Sequence, residues 1–189
     1  MKKIVLASVT FIVATAFVAN EISKWTLDGS HSRLGFTITH MGITDVHGEF
    51  SKFIVTVSQP NKDFSDAKIE MSADSKSINT GISMRDDHLR APEYFNVEKF
   101  QKLTFVSTAV RKIKENEYVI VGDFTMRGVT KQVSLNAVHT GTTKTKSGEA
   151  TGLKITGVVK RSDFGVGEIG PGLSDEVKLI ADLELSKED

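Results

Sequence analysis

Three polar residues that could recognise a ligand fall within four consecutive positions of the sequence, Arg85, Asp86 and His88. A guanidinium donates paired hydrogen bonds to phosphate, carboxylate or carbonyl oxygens, and an imidazole adds one more donor. The cluster therefore predicts a site for the polar head of a ligand. In a second interpretation, Arg85 and Asp86 bond to each other or to the backbone and hold a local helix in place. We favour this second role for Asp86 and leave both roles open for Arg85.

Acid–base catalysis is the alternative to ligand recognition, with His40, His88 and Asp86 as the reacting groups of a hydrolase or isomerase. The sequence lacks a nucleophile elbow, a P-loop and any cysteine, which argues against this alternative. The segment Gly165–Gly170 matches G-x-G-x-x-G, but Pro171 and Gly172 follow it where a dinucleotide site requires a helix. We therefore expect a loop there and no cofactor.

A metal site is also disfavoured by the spacing of the histidines. The five histidines include no pair four residues apart and no HExxH motif, whereas zinc requires three or four ligands that meet at one point. His31 is instead expected to order the start of the first long strand. The histidines are His31, His40, His47, His88 and His139.

The elements that must position these groups are mostly strands, because apolar residues recur with a period of two along most of the chain. One stretch, residues 80–91, has helical spacing instead and is followed by Pro92, which predicts a short helix that ends there. Short connections favour antiparallel neighbours. The pattern predicts an all-β fold, an extended antiparallel eight-stranded barrel with one helical insertion near residues 80–91.

The aromatic composition predicts a dry barrel interior. Phenylalanine occurs 11 times, against one tryptophan and two tyrosines, and its ring carries no hydrogen-bonding group. Ordinary core packing explains any single phenylalanine, but together they allow an apolar tunnel that holds a slender ligand. The residues expected to face this tunnel are Phe36, Phe50, Leu89, Phe95, Phe105 and Phe124.

The first 19 residues are predicted to be a signal peptide, and residues 20–189 a single domain. Lys2 and Lys3 precede an uncharged apolar run that is too short to span a membrane, and Ala14-Thr15-Ala16 offers a cleavage site after Ala16, with Ala19 as the other candidate. Removal of the two lysines leaves 22 basic and 24 acidic residues, a net charge of −2. We therefore expect an exported protein that binds no nucleic acid and does not span a membrane.

Several motifs in the same order resemble the YceI-like polyisoprenoid-binding proteins over residues 24 to 186. They are Trp25-Thr26-Leu27-Asp28 with His31, Ser32, Phe36 and His40; Gly48-Glu49-Phe50; Ser77-Ile78-Asn79-Thr80-Gly81; Arg85-Asp86-Asp87-His88-Leu89; Glu93-Tyr94-Phe95; Gly122-Asp123-Phe124-Thr125-Met126-Arg127-Gly128; Arg161-Ser162-Asp163-Phe164-Gly165; and Ser174-Asp175 with Val177. Tyr94 and Phe124 depart from residues common in the family, and both changes are compatible with an apolar wall.

The resemblance implies a lipocalin-like barrel in the bacterial periplasm that binds a polyisoprenoid or similar amphiphile and has no catalytic activity. It also places His40 on a wall strand, beside the polar cluster of Arg85, Asp86 and His88. The expected ligand is a long-chain isoprenoid such as a polyprenyl phosphate or an isoprenoid quinone. The sequence leaves a homodimer open.

Overall fold

The structure, a computed structural model, describes residues 22–59 and 63–188. The predicted signal peptide and both cleavage sites lie outside these residues. The described strands, in chain order, are β1 (Ser23–Leu27), β2 (Arg33–His40), β3 (Thr44–Phe50), β4 (Phe53–Gln59), β5 (Lys68–Asp74), β6 (Ile78–Asn79), β7 (Lys102–Lys114), β8 (Glu117–Met126), β9 (Val129–Thr145), β10 (Gly148–Lys160) and β11 (Leu173–Lys187).

These segments form one antiparallel sheet that closes where β1 pairs with β11. Three barrel strands are each built from two segments. β1 and β2 both pair with β11 and together form the first of these strands. β4 pairs with β1 and β3 pairs with β2, so β3 and β4 form the second. β5 pairs with β4 and β6 pairs with β3, so β5 and β6 form the third. Counted this way, the barrel has eight strands, and the predicted closed antiparallel barrel is confirmed.

The predicted helix is also confirmed, as α1 (Ser83–Arg90), shorter than the expected stretch at both ends. Ala91 follows it in an extended conformation, as expected for the residue before Pro92. The backbone N–H of Asp86 donates to the carbonyl of Ile82, which begins the helical hydrogen bonds. No helix in the described part of the chain is both long and apolar enough to cross a membrane.

Helix α1 lies beside β6 and runs back along it. The Arg85 guanidinium bonds to the carbonyl of Thr80, and the Arg90 guanidinium bonds to those of Ile78 and Lys76. The start of the helix therefore lies toward the β2–β3 hairpin, and its end lies deeper along the barrel. The described residues also form two short 3₁₀ helices, Ser75–Ser77 and Arg161–Phe164.

The core fills the barrel, and alternation decides which residues face it. On β8, Tyr118, Ile120, Phe124 and Met126 are buried in the predicted period of two. The ring of Phe50 packs 5.9 Å from that of Phe36 and 5.7 Å from that of Phe95, measured between centroids. Side chains from distant strands and from the segment after α1 therefore meet in one apolar interior.

Candidate functional site

An internal cavity of about 500 Å³ runs along the barrel between α1 and the inner faces of the strands. On β11 its lining extends from Leu173 to Leu183, and the ten steps between these residues span about 33 Å of extended chain. The cavity is therefore elongated. Its walls are mainly aliphatic and aromatic, and such walls favour an apolar chain over a polar solute.

All six apolar residues predicted from the alternation and from the helical insertion line this cavity, and the structure places them on five different elements and one loop. Four of them are nearly inaccessible to water, whereas Phe36 and Leu89 are half-buried. The six are Phe36 on β2, Phe50 on β3, Leu89 on α1, Phe95 in the following loop, Phe105 on β7 and Phe124 on β8.

Two of the phenylalanine rings contact glycines of the neighbouring strand. A methyl group added at Gly48 would come within 2.3 Å of the Phe36 ring, and one at Gly122 within 2.4 Å of the Phe105 ring. The missing side chains therefore let both rings lie against the wall, which leaves the middle of the barrel open.

We expect Gly48→Ala to push the Phe36 ring into the cavity. Unfolding should become easier by about 1–3 kcal/mol, the usual effect of overpacking a filled site, and lipid binding should weaken in parallel. Urea unfolding and a lipid-binding titration check this. Gly29→Ala is the control, because nothing lies within 4 Å of the added methyl group. Wild-type binding and stability in Gly48→Ala would mean that the ring is free to move elsewhere.

Three of the four predicted polar residues line one end of the same cavity, which we call the mouth. His40 is the exposed last residue of β2, His88 is exposed on α1, and Arg85 is half-buried on the same helix. His40 pairs with Leu173 at the start of β11, and Leu173 also lines the cavity. The mouth is thus bounded by the β2–β3 hairpin, helix α1 and the loop before β11.

Asp86 does not line the cavity. Its carboxylate is buried and accepts hydrogen bonds from the Thr80 backbone N–H at 2.8 Å and from the Thr80 hydroxyl at 2.5 Å. The cause is its position one residue after Arg85, on a different side of the helix. Asp86 therefore takes the positioning role favoured from the sequence, and its predicted contact with a ligand head has no support in the geometry.

Arg85 combines both roles considered for it. Its Nε donates to the Thr80 hydroxyl at 2.7 Å and its Nη2 to the Thr80 carbonyl at 2.8 Å. Its Nη1 makes no hydrogen bond with another described residue and lies in a side chain that lines the cavity. The bonds to Thr80 therefore hold the guanidinium in place, while one nitrogen is left to meet a ligand.

His88 and His40 differ in how firmly they are held. The His88 Nε2 lies 3.2 Å from a carboxylate oxygen of Glu93, and its ring lies 4.8 Å from that of Tyr94. Among the described residues, no hydrogen bond joins His40 to His88 or to Asp86. The three groups of the catalytic alternative therefore do not form one acid–base unit.

Arg161 is a cavity residue that the sequence analysis did not select. This buried guanidinium lines the cavity and donates to the carbonyls of Ser174 at 3.0 Å and Val166 at 3.0 Å. Nearby, hydrogen bonds from the backbone N–H and hydroxyl of Ser162 hold the pKa of Asp175 below its usual range. The signal was present, since both residues lie in motifs matched to the family, but the burial of Arg161 depends on the folded loop.

One group of potential metal ligands occurs among the described residues, and none of its members lines the cavity. Single ligand atoms of Asp28, His31 and Glu184 lie within 4.8 Å of one another. The Asp28 carboxylate bonds to the His31 ring at 3.0 Å and raises the pKa of that imidazole. The Ser32 hydroxyl bonds to the Glu184 backbone. These contacts order the β1–β2 connection, as expected for His31.

Comparisons with known proteins agree with this architecture. The protein named YceI from Salmonella arizonae is 36% identical over 182 residues, which cover 95% of this chain and 93% of that protein. The crystal structure of the Campylobacter jejuni YCEI protein superposes with a TM-score of 0.71 at 31% identity, covering 86% of this chain and 96% of the other.

A more distant structure shares the fold alone. It is described as a polyisoprenoid binding domain from Saccharophagus degradans implicated in plant cell wall breakdown, with a TM-score of 0.61 at 13% identity, covering 89% of this chain and 100% of that one. The family model described as the YceI-like domain matches residues 25–185, nearly all of the described chain. The protein is therefore a member of the YceI-like domain family.

Proposed function

We propose that this protein is a non-catalytic carrier that sequesters a long-chain isoprenoid lipid, such as a polyprenyl phosphate or an isoprenoid quinone, or a similar amphiphile. The observation that carries the proposal is the elongated apolar cavity with a guanidinium at its mouth. The Saccharophagus degradans domain, which shares this fold, is described as binding polyisoprenoids, and this description supports the same ligand class here.

The apolar chain of the ligand would supply most of the binding free energy. Burial of each methylene group contributes about 0.8 kcal/mol, so a few isoprene units offset the loss of translational and conformational freedom. The walls are formed mainly by side chains that make no hydrogen bonds, including those of Phe105, Phe124 and Leu183. Selectivity for a particular chain would then come from length and shape rather than from polar contacts.

The polar head would meet Arg85 at the mouth, beside His88 and His40. The Nη1 of Arg85 can donate to a phosphate or quinone oxygen, because its other two nitrogens are already held by Thr80. Asp86 acts through Thr80 and is a positioning residue. Catalysis by His40, His88 and Asp86 is the weaker reading, since Asp86 is buried against Thr80 and His88 contacts Glu93.

Export to the periplasm is part of this proposal. The basic start, the uncharged run and Ala14-Thr15-Ala16 support it. We expect N-terminal sequencing of the protein from the periplasmic fraction to begin between Phe17 and Glu21. A periplasmic protein that still carried Met1 would contradict cleavage, and a protein confined to the cytoplasm would contradict export.

The test of the proposed function is native mass spectrometry of the protein purified from the periplasm without detergent. We expect an added mass that corresponds to one lipid, released on denaturation and identified as an isoprenoid or related amphiphile by fragmentation. A protein that carries no lipid, and that takes up neither polyprenyl phosphate nor a quinone when these are supplied, would refute the proposal.

A further inference from the structure

Five large apolar side chains project into solvent around the mouth of the cavity. We call them the mouth rim: Met41 (58% exposed), Ile43 (84%), Ile82 (53%), Met84 (81%) and Ile169 (69%). Single exposed apolar residues are common on soluble proteins, but a group that surrounds one opening indicates an interaction surface.

The rim residues come from three segments that adjoin the cavity. Met41 and Ile43 follow His40 in the β2–β3 hairpin, Ile82 and Met84 precede Arg85, and Ile169 precedes Gly172. The backbone N–H of Met41 donates to the carbonyl of Gly172 at 2.9 Å, which joins the hairpin to the loop. The rim is therefore continuous with the lining of the cavity.

The rim segments carry no charged residue, although a quarter of the chain is charged. Residues 40–44, 79–84 and 169–174 contain no Asp, Glu, Lys or Arg. The turns at the opposite end of the barrel differ, since residues 114–117 and 145–148 carry Lys114, Glu115, Glu117 and Lys146. Charged residues directly flank these segments, at Asp45, Arg85 and Glu168, so the contrast between the two ends is confined to the rim segments themselves.

Met41, at the tip of the β2–β3 hairpin, has a positive φ, which is disfavoured for an apolar residue. Met41 has φ 53° and Gly42 has φ 72°, and the Ile43 N–H donates to the His40 carbonyl at 3.1 Å, as in a type I′ turn. Asn, Asp or Gly usually occupies the first of these positions. The exposed Met41 side chain therefore has no local folding reason to be there.

Hydrogen bonds from two arginines and one backbone N–H hold the loop that carries Ile169. The Arg161 guanidinium bonds to the carbonyls of Val166 and Ser174 on either side of Ile169, and the Arg127 guanidinium bonds to those of Gly165 at 2.6 Å and Pro92 at 2.7 Å. The N–H of Gly167 also donates to the Glu93 carbonyl at 2.9 Å. These bonds hold the loop at residues on both sides of Ile169.

We propose that the mouth rim docks the protein on the surface of a lipid bilayer, with the cavity opening directly onto the acyl chains. This inference rests on the proposed function, because it supplies the path by which a lipid chain leaves the bilayer without crossing water. Burial of the rim in the interface drives docking, since the rim is uncharged and the processed chain is nearly neutral. Docking should therefore depend little on salt or on anionic lipid.

The test is flotation of the processed protein with vesicles of pure phosphatidylcholine, and with vesicles that contain phosphatidylglycerol, at low and high salt. We expect similar binding in all four conditions. The double variant Ile43→Ser/Met84→Ser should lower the partition coefficient about tenfold or more, because two exposed apolar side chains no longer enter the interface. The matched control is Ile54→Ser/Ile113→Ser, which removes two isoleucines that are 64% and 61% exposed, on the side wall and at the far end. It should bind vesicles as the wild type does.

A separate titration with lipid delivered from solvent distinguishes this inference from the proposed function. The rim variant should take up lipid in that assay with wild-type affinity, and the transfer of lipid from vesicles should slow about as much as docking weakens. Equal vesicle binding by wild type and rim variant would overturn the inference. Binding confined to anionic vesicles at low salt would also overturn the inference. A wild-type protein that is a dimer, with a rim variant that is a monomer, would overturn it too, because the rim would then be a homodimer interface. Failure of lipid uptake by the wild type would instead count against the proposed function.

Discussion

Replacement of Phe105 by arginine should abolish isoprenoid binding and lower the free energy of unfolding by about 3 kcal/mol or more, because an unpaired charge would be buried in the barrel. The Phe105 side chain is only 5% exposed, lies against Gly122 and lines the cavity. One surface thus serves both packing and ligand uptake, and both properties should fail together. Fluorescence titration with an isoprenoid and urea unfolding measure the two effects.

The neighbouring residue provides a matched control for this prediction. Val106 is on the same strand, is 47% exposed and points away from the interior. Val106→Arg should keep binding and stability close to those of the wild type. The milder Phe124→Leu, which nearly conserves volume, should also be tolerated. Wild-type affinity in a folded Phe105→Arg protein would place the ligand outside the barrel.

Arg85→Ala should weaken binding of a phosphorylated or quinone lipid by about tenfold to a hundredfold, while binding of the bare hydrocarbon should hardly change. A charge-assisted hydrogen bond contributes about 1.5–3 kcal/mol, and only a polar head can accept it. Titrations of one variant with the two ligands measure this difference. Arg33→Ala is the control, because that guanidinium is exposed, is paired with Glu49 at 3.0 Å and does not line the cavity.

The histidines at the mouth separate a carrier from an enzyme. In a carrier, His40→Ala and His88→Ala should change the affinity for the lipid head modestly and cause no loss of turnover, since there is none. In an enzyme, either change would stop turnover with little effect on affinity. Chemical conversion of a polyprenyl phosphate or a quinone beyond one equivalent of protein, dependent on His40 or His88, would overturn the carrier proposal.

Alternation of apolar residues was sufficient to predict the barrel, but not how its strands are divided. The runs around Phe36, Phe53 and Phe105 face inward as expected from their period of two. The interruption at Ser51 and Lys52, between β3 and β4, was not predicted. The hydrogen bonds there join residues distant in sequence, from the Ser51 N–H to the Ser77 carbonyl and from the Asp74 N–H to the Lys52 carbonyl, and alternation does not indicate them.

The candidate site was predictable where periodicity fixed the direction of a side chain, and not where a loop did. Phe50 and Phe124 follow from their strands. The positions of Arg161 and the exposed Ile169 depend on the path of the loop before β11. Hydrogen bonds hold this loop, from Arg127 to carbonyls distant in sequence and from Arg161 to the Val166 carbonyl. Asp86 was grouped with Arg85 in the predicted polar cluster, although the positioning role was favoured for it, and the helix turns its carboxylate toward Thr80.

The central claim, that the lipid chain lies inside the barrel, is tested most directly by filling the cavity. Val133 and Leu179 are half-buried residues that line it, and Val133→Trp/Leu179→Trp would fill part of its volume of about 500 Å³. We expect lipid affinity to fall by at least about tenfold while the free energy of unfolding stays the same or rises, because the rings take up space that the native core leaves open. Undiminished lipid affinity in this folded variant would contradict the account.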